Sequence, residues 1–274
     1  MSVWERIHEA IARTIKEEDK AFEISYLRFG AARKWLVQQI DLNPNWLILE
    51  IGYGQGYFTA ELASSLGKEK GKVIGIDLLN DWSTTRVTKY ISKQLGLKER
   101  IDLVNCDSTR LPFRDASFDV VTSFLAFQNV VNTRGSEGVL STINEACRVV
   151  RKDGIVAFAD DSFPSCSPYG EQGILFKAIR RHWRTLLPST KTVIEQMEKN
   201  GISNVKVLTY NPTERLLPQD AERELRLSVG WAKPLGVEVN FDEFWKEVGE
   251  IVGKQGRVFS QVVLLFGTKT SKIP

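Results

Sequence analysis

An acidic residue and three glycines stand close together between Trp46 and Gly56, and this combination could bind a ligand. The apolar run that ends at Ile51 predicts a buried strand, and the glycines that follow predict a sharp turn. Backbone without side chains lets a ligand approach closely. The acid before the turn, Glu50, would repel a pyrophosphate group and suits a cationic ligand. The glycines are Gly52, Gly54 and Gly56.

Two common glycine-rich phosphate sites do not fit this spacing. A P-loop needs Gly-Lys-Ser or Gly-Lys-Thr after its glycines, and neither follows here. A dinucleotide site needs a glycine at the sixth place counted from Gly52, where the chain has Tyr57. The segment from Tyr57 to Leu66 has helical periodicity, so the stretch predicts a strand, a glycine turn and a helix.

Acidic residues also end the next two predicted strands. The strand from Lys72 to Ile76 leads into Asp77, about 20 residues beyond the glycines, where an acid can accept both hydroxyl groups of a ribose. The strand from Ile101 to Asn105 leads into Cys106-Asp107-Ser108. A tight turn or a helix cap would explain each residue alone, but three such strand ends together indicate one binding edge.

With these residues the chain resembles the class I S-adenosylmethionine-dependent methyltransferases in their seven-strand arrangement, from about Trp35 to Tyr210 and again in the last strand. The resemblance implies that the glycine motif holds the amino-acid part of the cofactor, that Asp77 binds the ribose diol and that Asp107 pairs with the adenine amine. Phe118 to Val121 matches the fourth strand, whose end faces the methyl group. The implied cofactor-binding residues are Glu50, Gly52, Tyr53, Gly54, Gly56, Asp77, Leu78, Asp107, Ser108 and Phe124.

The first motif departs from the commonest family form at two positions. Glu50 replaces the usual Asp, and Tyr53 stands where a small residue or Cys is common. Neither change removes an acid or a glycine. The implied cofactor is therefore S-adenosylmethionine, with S-adenosylhomocysteine as its product.

Strands and helices alternate from Trp46 to Ala159, which predicts a parallel sheet with helices on both faces. Together with the resemblance, this predicts an α/β fold, a three-layer α/β/α sandwich around a seven-stranded, mostly parallel sheet whose last strand is antiparallel. The predicted helices of the first half are Thr59–Leu66, Trp82–Leu95 and Ser136–Val150, the fifth strand is Ile155–Ala159, and the last strand is Arg257–Lys269.

We expect a single methyltransferase domain over residues 1–274, with helical additions around the sheet. Residues 1–45 form a helical N-terminal extension or lid, with helices at Val3–Glu18 and Ala31–Ile40. Residues 46–160 form the cofactor-binding half and residues 161–274 the acceptor-side half, with insertions at 161–190 and 211–255. In the resembled family, insertions at the second place usually shape the acceptor pocket.

The composition is that of an ordinary soluble globular chain, because 42% of its 274 residues are hydrophobic and 26% are charged. Its three cysteines include no Cys-x-x-Cys pair, so neither a disulfide framework nor a metal site is predicted. The sequence shows no long apolar stretch and no secretory signal, so we expect a cytoplasmic protein without a membrane span. A formal charge of +3 neither demands nor excludes an anionic partner.

Candidates for the acceptor site follow the fourth and fifth strands. An exocyclic base amine needs a carboxylate or amide oxygen to accept its hydrogens and an aromatic ring to hold the base. The predicted catalytic residues are therefore Asn129, after the fourth strand, and Asp160, Asp161 and Phe163, after the fifth. A capped loop would also explain Asp160 to Pro164, and the Asn-Pro-Pro-Tyr or Asp-Pro-Pro-Tyr sequence of many amino-methyltransferases is absent.

Histidine and cysteine chemistry has less support. The histidines, His8 and His182, lie outside the predicted cofactor core, and a surface position explains both. Cys166 lacks the Pro-Cys or Thr-Cys context of a cytosine C5 nucleophile, because Ser165 precedes it.

The most basic part of the chain, Phe176 to Lys191, combines cations with aromatic residues and contains no acid. Cations hold phosphates and rings stack on unpaired bases, so the segment favours RNA binding. A solvated amphipathic helix would explain it equally well. The predicted nucleic-acid-binding residues are Lys177, Arg180, Arg181, Trp183 and Arg184.

We therefore expect methyl transfer to an RNA base, preferably to an exocyclic amine such as cytosine N4. Two alternatives stay open. The segments Phe118 to Val121 and Lys152 to Gly154 also resemble methyltransferases of quinone biosynthesis and other small molecules, which favours a metabolite acceptor. A non-catalytic cofactor-binding partner subunit would share the same motifs. The oligomeric state is not predicted.

Overall fold

The structure, a computed structural model, describes residues 20–66, 71–79 and 82–270. Alternating strands and helices occupy most of these ranges. The strands are β1 (Leu47–Ile51), β2 (Lys72–Asp77), β3 (Ile101–Asn105), β4 (Phe118–Phe124), β5 (Val150–Asp160), β6 (Ile202–Tyr210), β7 (Arg215–Leu216), β8 (Arg257–Val258) and β9 (Val262–Lys269). The α-helices are α1 (Lys20–Ile40), α2 (Tyr57–Ser65), α3 (Trp82–Gln94), α4 (Phe127–Val149), α5 (Gly170–His182), α6 (Thr190–Lys199), α7 (Pro218–Ala232) and α8 (Phe241–Gln255).

One seven-stranded sheet forms the middle layer, in the order β3-β2-β1-β4-β5-β9-β6. Strands β1 to β5 are parallel to one another, and β9 runs antiparallel between β5 and β6. The predicted α/β fold, with an antiparallel last strand, is therefore confirmed. Because the order reverses between β1 and β4, the carboxyl ends of these strands border a crevice, which is where ligands of open parallel sheets bind.

Each face of the sheet has its own apolar core, since neighbouring side chains of a strand point to opposite faces. Leu49 of β1 packs in the core that contains α4 and α6, together with Ile143 and Met197. Ile48 packs in the opposite core, which contains α1 and α2. The largest of these side chains are fully buried, so strand β1 is fixed from both sides and its carboxyl end is held in place.

A third apolar core lies outside the sheet, where α5, α7 and α8 pack on one another. We call these three helices, together with the two-stranded β7–β8 ladder, the helical cap. Phe244 of α8 is completely buried in it and meets the ring of Trp183 edge-on, with 4.8 Å between centroids. The two insertions predicted at 161–190 and 211–255 thus contribute to one structural unit.

Several element boundaries differ from the sequence expectations. Helix α1 includes Tyr26 to Gly30, and the predicted helix Val3–Glu18 lies outside the described residues. Helix α4 starts at Phe127, shortly after β4, and not at Ser136 as predicted. The break at Gly135 (φ 67°) interrupts the helical periodicity, so the sequence pattern did not reveal the first turns. The predicted last strand is split, since Arg257–Val258 pairs with Arg215–Leu216 before β9 begins. Within residues 20–66, 71–79 and 82–270, no helix has the length and apolar character needed to cross a membrane.

Candidate active site

A cavity of about 890 Å³ opens at the carboxyl ends of β1 to β4 and continues under the helical cap. Two regions of its wall differ in origin. The sheet edge is the wall formed by residues that end or follow the strands, which include Glu50, Gly52, Gly54, Asp77, Asp107, Ser108 and Phe124. The cap chamber is the remainder, and it is lined by Asp161, Arg180, Trp183, Thr185, Glu224, Trp231 and Arg257.

The glycine turn after β1 is shaped by close backbone packing. Gly52 and Gly56 have φ angles of 77° and 76°. A Cβ atom on Gly52 would lie 2.5 Å from the Cβ of Ala126, and one on Gly56 would lie 2.2 Å from the Thr88 side chain. Gly54, with φ 48°, has no atom within 4 Å of such a Cβ, and it lines the cavity. The outer glycines therefore let the turn pack, and Gly54 leaves space for a ligand.

Asp77, at the end of β2, is held by main-chain donors. Its Oδ2 accepts a hydrogen bond from Gly54 N at 3.0 Å, and its Oδ1 accepts one from Leu79 N at 3.0 Å. Burial raises the pKa of Asp77 above its usual value, although these main-chain bonds act in the opposite direction. The carboxylate is thus fixed at the sheet edge with lone pairs left for a ligand.

Asp107, after β3, has a different environment. Its Oδ1 accepts from the Thr109 nitrogen at 2.9 Å, and its Oδ2 accepts from Arg134 Nε at 2.8 Å. Partial burial raises the pKa of Asp107, but the bonds from Thr109 and Arg134 outweigh it, so the pKa lies below its usual value. The neighbouring Ser108 hydroxyl is 2.9 Å from the Thr142 hydroxyl. Asp107 is consequently ionised and fixed at physiological pH.

Glu50 is the most deeply buried acid of the sheet edge, with 1% of its surface exposed. Burial raises the pKa of Glu50 to about 8, and the acids Glu61 and Asp77 add to the effect. Its Oε2 has no hydrogen-bond partner within the described part of the chain. An unpaired buried carboxylate oxygen that faces a cavity is well suited to a cationic donor group.

Arginine 33 of α1 reaches the same edge and was not predicted. Its Nε donates to both carboxylate oxygens of Glu61, at 2.9 and 3.0 Å, and both side chains are almost fully buried. The guanidinium also lies over the rings of Tyr57 and Phe124, at 5.6 and 6.0 Å from their centroids. Helix α1 is thereby joined to the glycine turn and to the end of β4.

Two buried ion pairs line the cap chamber. Arg180 of α5 donates through Nη2 to Asp161, which follows β5, at 3.0 Å. Arg257 of β8 pairs with Glu224 of α7. All four residues are at most 8% exposed. Trp183 adds an apolar wall and donates its indole N–H to the Ser228 carbonyl at 3.2 Å. Because each arginine faces a carboxylate, the chamber is polar without a large net charge.

Comparison with known proteins agrees with this geometry. Residues 49–158 match a family described as a methyltransferase domain, and this range runs from β1 to β5 and contains the whole sheet edge. Residues 49–158 are a class I S-adenosylmethionine-dependent methyltransferase domain.

The proteins to which this chain is similar are named for different substrates. The demethylmenaquinone methyltransferase of Bacillus cereus is 25% identical over 225 residues, which cover 75% of this chain and 91% of that one. Two solved structures share the fold. Geranyl diphosphate C-methyltransferase from Streptomyces coelicolor, solved with S-adenosylhomocysteine, has a TM-score of 0.56 at 14% identity and covers 88% of this chain and 78% of its own. Phosphoethanolamine N-methyltransferase 2 from Haemonchus contortus, solved with S-adenosylmethionine, has a TM-score of 0.55 at 16% identity, with coverages of 88% and 53%.

The cofactor of the methyltransferase is S-adenosylmethionine, and the residues of the sheet edge fit it. Gly54 leaves room for a ligand, and the unpaired oxygen of Glu50 faces that room. We assign Glu50 to the cationic amino-acid part, Asp77 to the ribose hydroxyls and Asp107 to the adenine amine. These roles stay predictions.

The structure brings nearly all predicted cofactor-binding residues to one wall of the cavity. Glu50, Gly52, Tyr53, Gly54, Asp77, Leu78, Asp107, Ser108 and Phe124 line it, whereas Gly56 packs against Thr88 behind the turn. Sequence reasoning missed Arg33, Gln128, Arg134, Glu224 and Arg257. No local pattern marked these residues, because each lies on a helix or a short strand and reaches the cavity through packing of distant segments.

The predicted catalytic residues separate into two groups. Asn129 and Asp161 line the cavity. Phe163 is fully buried in the core beneath the sheet, so it cannot hold an acceptor ring as expected. Asp160 is also buried away from the cavity, where its Oδ1 accepts from Ser162 N at 2.9 Å. Asp160 is the last residue of β5, whereas Asp161 follows the strand and lines the cavity.

The predicted nucleic-acid-binding residues do not form one exposed surface. Arg180 and Trp183 are buried within the cap, at 6% and 7% exposure, and Arg181 pairs with Glu247 of α8. Lys177 and Arg184 remain exposed. The basic segment is thus an amphipathic helix end whose inward residues build the cap, which is the alternative that the sequence left open.

Proposed function

We propose that the protein transfers a methyl group from S-adenosylmethionine to a small-molecule acceptor bound in the cap chamber. The observation that carries the proposal is the continuity of this chamber with the sheet edge in one cavity of about 890 Å³. Sites for small molecules are concave, of a few hundred to about 1,000 Å³, and mostly apolar with a few fixed polar groups. The cap chamber, with Trp183, Trp231 and its two ion pairs, fits this description.

The named relatives support the same kind of acceptor. The Bacillus cereus relative, which aligns over 75% of this chain, is named for demethylmenaquinone. At 25% identity the acceptor pocket can differ, so we propose a ring compound of this general size rather than that molecule. Phe124 and Trp183 supply faces against which a ring can pack.

The chain's own residues would act mainly by alignment and by exclusion of water. When bound, S-adenosylmethionine supplies an electrophilic methyl group on a sulfonium. The end of β4 lies between the sheet edge and the cap chamber, and it is fixed by Leu125 N, which donates to the Ala159 carbonyl at 2.8 Å. Gln128 Nε2 donates to the Leu125 carbonyl at 3.1 Å. Leu125 has φ 55°, a sparsely populated conformation that persists because both bonds hold it. This rigid segment would set the distance and angle of in-line transfer.

RNA is the acceptor that the sequence favoured, and the structure gives it less support. An unpaired base stacks on exposed rings beside free cations. Here the basic segment places Trp183 and Arg180 inside the cap. A non-catalytic partner subunit has no specific support either, because the cavity extends beyond the sheet edge into the cap chamber.

The test incubates purified protein and labelled S-adenosylmethionine separately with total RNA, with a protein fraction and with a metabolite extract that includes demethylmenaquinone. We expect label in the extract and a mass increase of one methyl group in one small molecule. Transfer to RNA that depends on Asp77 would refute the small-molecule proposal. Cofactor binding without transfer to any fraction would support the partner-subunit alternative.

A further inference from the structure

Arg180 in the cap chamber has more hydrogen-bond donors than the chain satisfies. A guanidinium carries five N–H donors. Nη2 donates at 3.0 Å to the Asp161 carboxylate and also at 3.0 Å to the Asp161 carbonyl. Nε has no hydrogen-bond partner within the described part of the chain, although it is fully buried. Buried donors without partners cost free energy, so a missing partner at this position calls for an explanation.

The Nη1 group of Arg180 lies next to two other residues of the cavity wall. It lies 3.4 Å from Gln128 Oε1 and 3.4 Å from Thr185 Oγ1, and both of these residues line the cavity. At such distances neither contact is a full hydrogen bond. The ring of Phe176, 4.8 Å from Cζ, stabilises the charge from one face but offers no lone pair. Space and donors are therefore present together at Nη1.

The acidic partner of Arg180 is fully occupied. Oδ2 of Asp161 accepts from the Ser260 hydroxyl at 3.1 Å, and Oδ1 accepts from the Ser162 hydroxyl at 3.2 Å as well as from Arg180. These bonds hold the carboxylate in place and orient the guanidinium. A ligand that approaches Nη1 meets the guanidinium, the Thr185 hydroxyl and the Gln128 amide rather than the Asp161 carboxylate.

We propose that Arg180 Nη1 and the Thr185 hydroxyl bind an ionised hydroxyl group of the acceptor. The inference rests on the proposed function, because it names the substrate class of the same chamber. The guanidinium is the charged group of this site, and its charge-assisted hydrogen bonds are stronger to an ionised oxygen than to a neutral hydroxyl group. An ionised oxygen also raises the electron density of the ring to which it is attached. The site would therefore select the form of the acceptor that attacks a methyl group.

Arg33 is held at the sheet edge by Glu61, and the two remaining arginines of the cavity are poorer candidates for this role. Arg257 pairs with Glu224 and has no buried nitrogen without a partner in the described structure. Arg134 is 42% exposed and donates to Asp107 at the sheet edge. Arg180 alone among these three combines burial, an unpartnered donor and two cavity-lining neighbours at long distance.

The test uses 4-nitro-1-naphthol, whose ionised and neutral forms differ in colour, and its methyl ether as a probe that cannot ionise. Both are titrated into full-length protein saturated with S-adenosylhomocysteine, and the pKa of the bound naphthol is read from its absorbance. The charged residues that line the chamber are Arg180 of α5, Asp161 after β5, Glu224 of α7 and Arg257 of β8, and Asp160 of β5 lies behind them within electrostatic reach of Arg180. If Arg180 dominates, the bound pKa falls by about one unit or more, a tenfold or larger preference for the ionised form.

Variants show whether the pKa decrease of the bound naphthol comes from Arg180 and Thr185 or from the overall charge of the chamber. Arg180→Met should abolish the pKa decrease, and Thr185→Val, which leaves the ion pair intact, should reduce it. The double variant Glu224→Leu/Arg257→Met, which removes the neighbouring ion pair without leaving an unpaired charge, is the matched control and should leave most of the decrease. Because Arg180→Met leaves Asp161 unpaired, the Asp161→Asn/Arg180→Met double variant provides a second test in a neutral background.

An unchanged or raised pKa of the naphthol bound to the wild-type protein would overturn the proposal, as would tighter binding of the methyl ether. So would loss of the effect in Glu224→Leu/Arg257→Met but not in Arg180→Met. The readout is binding and does not depend on turnover. Failure to methylate any small molecule would therefore sink the proposed function while the oxygen site is judged on its own result.

Discussion

Gly54 donates its main-chain N–H to Oδ2 of Asp77 at 3.0 Å, and this bond ties the glycine turn after β1 to the end of β2. The two segments come from different strands, yet each fixes the other. Asp77 is consequently both a candidate ligand of the cofactor ribose and a structural part of the turn. A substitution there should affect binding and stability together.

Asp77→Ala should lower the affinity for S-adenosylmethionine by at least about tenfold, because it removes a charged acceptor from the site. Asp77→Asn keeps one oxygen for Gly54 N and should preserve the melting temperature better than Asp77→Ala. Calorimetric titration and thermal unfolding measure the two effects. Asp102→Asn, an exposed acid on β3 paired with Lys72, is the control and should change neither quantity. Equal affinities of Asp77→Ala and wild type would remove Asp77 from the site.

Cofactor binding should be linked to the ionisation of Glu50. In the cofactor-free protein the pKa of Glu50 is raised to about 8, so the group is mostly protonated at neutral pH. A cationic group placed beside it favours the ionised form, so binding should release a proton below about pH 8. Affinity should rise with pH up to about 8 and then level off. Titration calorimetry in buffers of different ionisation enthalpy measures the released proton, and a pH-independent affinity would contradict the assignment.

The same group predicts an unusual stability profile. Because the folded pKa of Glu50 is above its unfolded value of 4.5, the stability it contributes is complete below about pH 4.5 and is lost as pH rises through about 8. Glu50→Gln removes the buried ionisable group. We expect this variant to melt a few degrees higher than wild type near pH 9 and to bind S-adenosylmethionine weakly at every pH. A lower melting temperature near pH 9 would contradict this expectation.

The helical cap should depend on Phe244 for its packing. Phe244→Ala removes a completely buried ring from the third core and should cost about 3–5 kcal/mol in the stability of that core. We expect faster hydrogen exchange in α5, α7 and α8 and loss of methyl transfer, with cofactor binding largely retained. Val207→Ala on β6, where the side chain is half exposed, is the control. If Phe244→Ala reduced cofactor binding as much as methyl transfer, the helical cap and the sheet edge would not be independent of each other.

Glu224 and Arg257 should stabilise the protein only when both residues are present. Arg257→Met leaves a buried carboxylate without its partner and should destabilise the protein by about 3–5 kcal/mol. The double variant Glu224→Leu/Arg257→Met should recover most of this loss, because an apolar pair avoids the desolvation of two charges. Chemical denaturation of the single and double variants measures the coupling. Additive losses would argue against direct interaction in solution.

The sequence predicted the sheet and its binding edge well, because both depend on local pattern. Alternating apolar strands and helices predict a parallel sheet, and residues at the carboxyl ends of its strands must meet at one edge. Asp77 and Asp107 therefore came together with the glycine turn as expected. Gly56 differs because its role is close packing against Thr88, which no neighbouring residue in the sequence reveals.

The acceptor side was decided by tertiary structure. Asp160 ends β5 and Asp161 follows it, yet only Asp161 lines the cavity, and Phe163 follows a turn that carries it into the core. Arg180 and Trp183 looked like a nucleic-acid surface because charge and aromatic content do not say which side of a helix is buried. Helices α7 and α8 cover that side, and they lie far along the chain.

The sequence by itself thus determined the class of cofactor and the strand ends that would bind it, since period and spacing act within a few residues. Only the tertiary structure decided which charged residues enter the acceptor chamber. Segments 161–190 and 211–255 bury their apolar faces on each other, and this packing turns the buried ion pairs of Arg180 and Arg257 toward the cavity. The burial of apolar surface between distant segments is a property of the whole chain, which no local pattern carries.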